Sequence, residues 1–147
     1  DDDENKMRTT WIALLRGINV GGSGRVPMAD LRSVLTADKH ASFRNVKTYI
    51  QSGNVIFTSP KSSDVLCDSL GECIQENFGF RPPIMLLQRD ELQRAFDNNP
   101  FQSEAADNPS RVHFFFLGQQ PDKEIMQTLE SSIDKVKADS EEYSLDQ

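Results

Sequence analysis

Four of the eight glycines in this chain of 147 residues fall at positions 17, 21, 22 and 24, directly after the apolar run Trp11, Ile12, Ala13, Leu14 and Leu15 and just before Pro27. A glycine-rich run lets the backbone turn through positive φ or approach a neighbour closely, whereas an unbroken apolar run demands burial. The order therefore predicts a buried strand, a loop and then a helix. Pro27 suits that helix's first turn, and Met28, Leu31, Val34 and Leu35 give it one apolar side.

Residues 46–58, VKTYIQSGNVIFT, predict a β-hairpin in which two strand-like runs flank a Ser52-Gly53 turn. A two-residue loop there pairs Gln51 with Asn54, Ile50 with Val55 and Tyr49 with Ile56. Alternation then puts Val46, Ile50, Val55 and Phe57 on the core face, and Lys47, Tyr49, Gln51, Asn54 and Thr58 on the other, with Ile56 the one apolar intruder. A slip of one residue would exchange the two faces.

Ser63 is a good N-cap for a helix in which Leu66, Leu70, Cys73, Ile74 and Phe78 recur at three- and four-residue spacing and which Gly79 ends. A short strand over 84–87 and a brief helix capped by Asp90 follow, before Asn99-Pro100. Residues 102–110 are polar and expected as loop. The run 112–117 is apolar enough to predict a strand covered on both faces, and a helix from Pro121 carries the stripe Ile125, Met126, Leu129 and Ile133. The order βαββαβ is that of a split βαβ, or ferredoxin-like, unit with helices on one face of an antiparallel sheet. The expected architecture is α+β: a ferredoxin-like first lobe over residues 7–98 and a partial second α/β lobe over 99–147 packed against it. Residues 1–6, acidic and apolar-free, are expected to be an expression remnant or a disordered leader.

Charge narrows the function classes. The net −7 divides into −3 for residues 1–7, +6 for 8–61 and −10 for 62–147. The whole chain disfavours nucleic acid, yet the basic stretch around the glycines can attract an anion, with dispersed solvated charges as the plain alternative. The apolar runs are far shorter than the roughly 18 residues of a membrane span. Cys67 and Cys73 lie six apart on one predicted helix and so do not pair with each other; without a disulfide framework, a reducing cytoplasm is the expected location. No metal or cofactor is expected, since His40 and His113 are isolated and neither cysteine has a ligand partner at metal spacing.

The residues LLRGINVGG (14–22), the Pro-Met-Ala-x-Leu helix start at 27–31 and TYIQSGNVIF (48–57) closely resemble the opening of a bacterial family catalogued as domain of unknown function 1697, with weaker likeness at 99–101 and 114–117. The resemblance spans nearly the whole chain and implies an α+β fold of two ferredoxin-like lobes, with no activity attached. Two departures stand out. Residues 36–43, TADKHASF, replace a short Leu-Gly-Phe connection, and an Arg-Asn-Trp element typical of members has no counterpart before residue 147, so that either the chain is truncated or its second lobe is shorter.

Known loop chemistries mostly fail here. The pattern G-x-x-x-x-G-K-[ST] lacks its lysine, with Ser23 and Gly24 in the last two places, and G-x-G-x-x-G does not follow from Gly22 and Gly24. A generic anion cradle survives, made of the backbone N–H groups of Gly21 to Gly24, the Pro27 helix start, Arg16 and Arg25, with Asn19 beside them. The plain alternative is a structural turn in which Arg16 pairs with a carboxylate. Tyr49, Gln51 and Asn54 complete the candidate ligand-binding set, by stacking and hydrogen bonding, or else serve packing and hairpin closure. The leading expectation is a binding module for a small anionic or phosphorylated ligand. An enzyme with part of its site beyond this sequence, and a protein-interaction domain, are the competitors.

Overall fold

The computed structural model describes residues 8–37 and 42–135, with β1 (Thr9–Leu15), α1 (Met28–Leu35), β2 (Arg44–Tyr49), β3 (Asn54–Ser59), α2 (Ser63–Phe78), β4 (Ile84–Gln88), α3 (Arg89–Asp97), α4 (Gln102–Asp107) and α5 (Lys123–Lys135). The four strands form one antiparallel sheet in the order β2-β3-β1-β4. The chain divides into two compact units within α3, between Gln93 and Arg94.

In the first unit, alternation along β1 and β3 builds the core. Trp11 pairs with Phe57 and Ala13 with Val55, so their side chains share one face, and all four are buried. Met28, Leu31 and Leu35 of α1 and Leu66, Leu70, Cys73 and Ile74 of α2 join the same cluster, and Phe43 meets Phe57 edge to face at 5.0 Å. Each large side chain taken out of water here stabilises the fold by about 1.5–3 kcal/mol before entropy is counted. The opposite sheet face carries Ile12, Leu14, Ile56 and Met85, all half-buried, and Leu87, which is buried.

The hairpin differs from the two-residue turn expected. Tyr49 pairs with Asn54, Thr48 with Val55 and Lys47 with Ile56, so the loop is the four residues 50–53. The register moves by two, and because side chains alternate with period two the face assignment of Val46, Lys47, Tyr49, Val55 and Phe57 is unchanged. Ile50 is the exception: it lies in the turn at φ 51, 60% exposed, not in the core. The longer loop follows from Gly53, whose carbonyl accepts the Leu15 N–H and which leaves no room for a Cβ against Ile18 and Leu15, so that the turn is tied to the end of β1. A bulge at Asn45, φ 52, then shifts the register so that Arg44 meets Thr58.

Helix α2 starts at Ser63 with Ser62 as N-cap, one residue earlier than expected, and stops at Gly79 in the left-handed conformation (φ 82), which returns its N–H to Gln75. Gly71 inside this helix has a specific neighbour. The Arg81 guanidinium lies over it, 2.5 Å from where a Cβ would sit, and bonds Asp68 at 2.9 Å. Glu91, rather than Asp90, fixes the start of α3 by accepting the Gln88 N–H.

The second unit departs furthest from expectation. Residues 102–110 hold α4 and a 3-10 turn, Pro109–Arg111, not an open loop. The run 112–117 is not a strand, and Phe114, Phe115 and Leu117 are exposed rather than covered on both faces. The physical reason is pairing: a strand stands only when a neighbour takes its N–H and C=O groups, and among the described residues of this unit there is no second strand. Ile125 and Leu129 of α5 are exposed as well, so the stripe is not a buried core there, while Ile133 falls outside the described side chains. Among the described residues no helix is long and apolar enough to cross a membrane.

Candidate functional site

The glycine run folds as a small finger rooted on Asn19. Asn19 adopts φ 54, a left-handed conformation that asparagine tolerates better than most residues, and its N–H bonds the Gly24 carbonyl at 2.9 Å. Inside that closure Val20 and Ser23 bridge, with Gly21 (φ 63) and Gly22 (φ 80) at the tip. Two successive positive φ angles are what a type I′ turn requires, so glycine is needed at both places for backbone reasons alone.

The Asn19 side chain does more. Its Oδ1 accepts the Val26 N–H at 2.8 Å, and its Nδ2 donates to the Val26 carbonyl at 2.9 Å and to the Gln51 carbonyl at 2.8 Å. Because a backbone N–H can only donate, the Val26 contact settles which amide atom is the oxygen. Both amide hydrogens are used. The finger is thereby tied to the start of α1 and to the hairpin turn. Asn54 acts likewise within the turn, donating through Nδ2 to the Tyr49 carbonyl at 3.1 Å and to Ser52 Oγ at 3.0 Å.

The structure thus brings Asn19, Gly21 and Gly22 into one finger tied to Gln51, with Arg25 directly after its closure and Asn54 in the same hairpin, and Arg16 leaves β1 with its N–H on the Pro83 carbonyl at 3.0 Å. Arg16 and Arg25 are exposed and, among the described residues, make no side-chain hydrogen bond or ion pair, so the carboxylate partner considered for Arg16 is not found there. Tyr49, 67% exposed, stands on the sheet face opposite the core, across from Asn54. Asp30, exposed in the first turn of α1, meets the positive end of that helix dipole. Sequence patterns did not single out Val20 and placed Ile50 in the core; both are apolar and 60% or more exposed, on the two loops that carry these polar groups. A valine between Asn19 and a Gly-Gly tip was the available signal, since such a tip projects from the sheet.

Elsewhere, burial and the carboxylates of Asp68 and Asp64 push the Cys67 thiol above its usual range, against an opposing pull from Arg81. Among the described residues no group of three or more His, Cys, Asp or Glu side chains is placed to hold a metal ion.

A four-stranded antiparallel sheet, with α1 and α2 filling one face and two loops joined by an asparagine at one end, defines a mixed α+β protein class. Within it, the family model described as protein of unknown function DUF1697 matches residues 8–146, and the chain belongs to that family. Two chains match among solved structures. One is the conserved bacterial protein SP0830 from Streptococcus pneumoniae, 27% identical, with a TM-score of 0.61 over 85% of this chain and 67% of that one. The search among curated proteins finds no match.

Proposed function

We propose that this protein is a binding module whose site is the end of the sheet formed by the finger and the hairpin turn, and that its ligand is anionic. The carrying observation is that Arg16 and Arg25, flanking the finger, are exposed and have no internal partner among the described residues. The backbone N–H groups of Gly21 and Gly22 at the tip add donors, and Gln51 and Tyr49 border the same end. Asn19 and Asn54 serve the site by holding the two loops in register. The βαββαβ order and the β2-β3-β1-β4 sheet support a ferredoxin-like first lobe, spanning residues 7–98, as the scaffold, with residues 99–147 as a second lobe. Two thiols not joined in a disulfide fit a reducing cytoplasm.

Titration calorimetry with inorganic phosphate and a sugar phosphate tests the anion site. Arg16→Ala with Arg25→Ala weakens binding while the melting temperature of the free protein holds. Equal affinity in wild type and double variant overturns the reading. A second reading, protein recognition, has its own observation in the exposed Val20, Tyr49 and Ile50 at the same end.

A further inference from the structure

Three large side chains are exposed at this end of the sheet, where one hydrogen bond joins the finger to the hairpin turn: Val20 in the finger at 65%, Tyr49 at the end of β2 at 67% and Ile50 in the turn at 60%. Singly, exposed apolar residues are ordinary; grouped beside unpaired cations they mark recognition surfaces. Ile50 adds a second kind of observation. It holds φ 51, where a β-branched residue is strained and glycine or asparagine is not, and its side chain stays outside the core, 60% exposed. The fold alone would favour a glycine there.

We propose that the ligand at this end of the sheet is an acidic segment of another protein, with an apolar side chain seated among Val20, Tyr49 and Ile50 and carboxylates paired to Arg16 and Arg25. The inference rests on the anion reading above and names its partner. Charge complementarity selects the chemistry. Residues 8–61 carry eight Lys and Arg against two carboxylates, and a guanidinium grips a carboxylate through two parallel N–H···O bonds. The net charge of −7 on the whole chain opposes a polyanion as long as a nucleic acid but leaves a short acidic segment free to reach a locally positive end. Tyrosine and arginine together, around a small apolar centre, match the composition of interface anchors.

Selection from a random peptide display library on the whole protein tests this. The expected winners combine two or more carboxylates with an aliphatic or aromatic residue. Measured by fluorescence anisotropy, a winning peptide binds about tenfold more weakly, and with a flatter salt dependence, to the Arg16→Glu, Arg25→Glu double variant. The decisive variant is Ile50→Gly, which relieves the turn: it melts at a higher temperature than wild type and yet binds the peptide more weakly, an opposition that a merely structural isoleucine would not produce. Equal peptide affinity for Ile50→Gly, or winners without carboxylates, overturns the proposal. If inorganic phosphate binds in an Arg16-dependent way while no acidic peptide is selected, the anion site stands and the peptide partner falls. If neither binds, both fall.

Discussion

The side-chain amide of Asn19 donates to the carbonyl oxygen of Gln51 over 2.8 Å, and by that contact a six-residue finger and a four-residue hairpin turn, 32 positions apart in sequence, become one hydrogen-bonded unit. The same amide holds both the N–H and the C=O of Val26, so a single side chain sets the finger's base, the entry to α1 and the position of the turn.

Replacing that side chain is therefore expensive. Asn19→Ala removes three hydrogen bonds, each worth about 1 kcal/mol, and places alanine at φ 54, and together these destabilise the fold by about 4 kcal/mol. Urea unfolding reads the loss directly. Asn19→Gly, which keeps the backbone conformation free of strain, costs about 1 kcal/mol less. A midpoint unchanged in both variants contradicts the finger's dependence on Asn19.

Two glycines with similar φ respond differently. A Cβ on Gly53 sits 2.7 Å from Ile18 Cδ1 and 2.9 Å from Leu15 Cβ, and the second atom has no freedom to swing away. A Cβ on Gly22 meets nothing within 4 Å. Gly53→Ala thus adds overpacking to backbone strain and costs about 3 kcal/mol, against about 1 kcal/mol for Gly22→Ala. Thermal melts of the pair decide it; equal shifts would mean that Gly53 matters only for its φ.

Gly71 poses the opposite case. Alanine there gains roughly 1 kcal/mol of helix stability but displaces the Arg81 guanidinium from its bond to Asp68, an exposed ion pair worth about 0–1 kcal/mol. Gly71→Ala comes out within about 1 kcal/mol of wild type. In an Arg81→Ala background, where nothing opposes the new methyl group, it stabilises by the full helix gain. A double-mutant cycle on melting temperature checks both statements.

The Cys67 thiol is held in its protonated form by burial first and then by Asp68 and Asp64. Iodoacetamide at about pH 8 modifies it more slowly than an exposed thiol, because the thiolate is the nucleophile. Arg81→Ala slows the reaction further by removing the one opposing charge. A thiol with a raised folded value contributes stability that is complete below its unfolded value and is lost as the pH rises through the folded one, so Cys67→Ser flattens the alkaline side of the stability profile. Alkylation as fast as in the unfolded chain would show that the thiol is open to water.

Elements whose signals are local could be read from the residues alone. The apolar run 11–15, the periodic stripe Leu66, Leu70, Cys73 and Ile74, and Gly79 as a stop each act within a few residues, and the structure holds β1, α2 and its left-handed cap at those places. Membership of the DUF1697 family was legible in the same way, from contiguous motifs. What lay beyond local signals was decided by contacts between distant residues. The hairpin register turned on Gly53 packing against Ile18 and bonding Leu15, and Ile50 left the core because that contact lengthened the loop. At the candidate site, Asn19 and Asn54 carry amides whose partners no spacing rule reveals, and Arg16 and Arg25, nine positions apart, flank one finger because the Asn19 N–H closes on the Gly24 carbonyl. Run 112–117 shows the same division: its composition favours a strand, but a strand exists only where another segment accepts its hydrogen bonds, and that is a property of the tertiary fold.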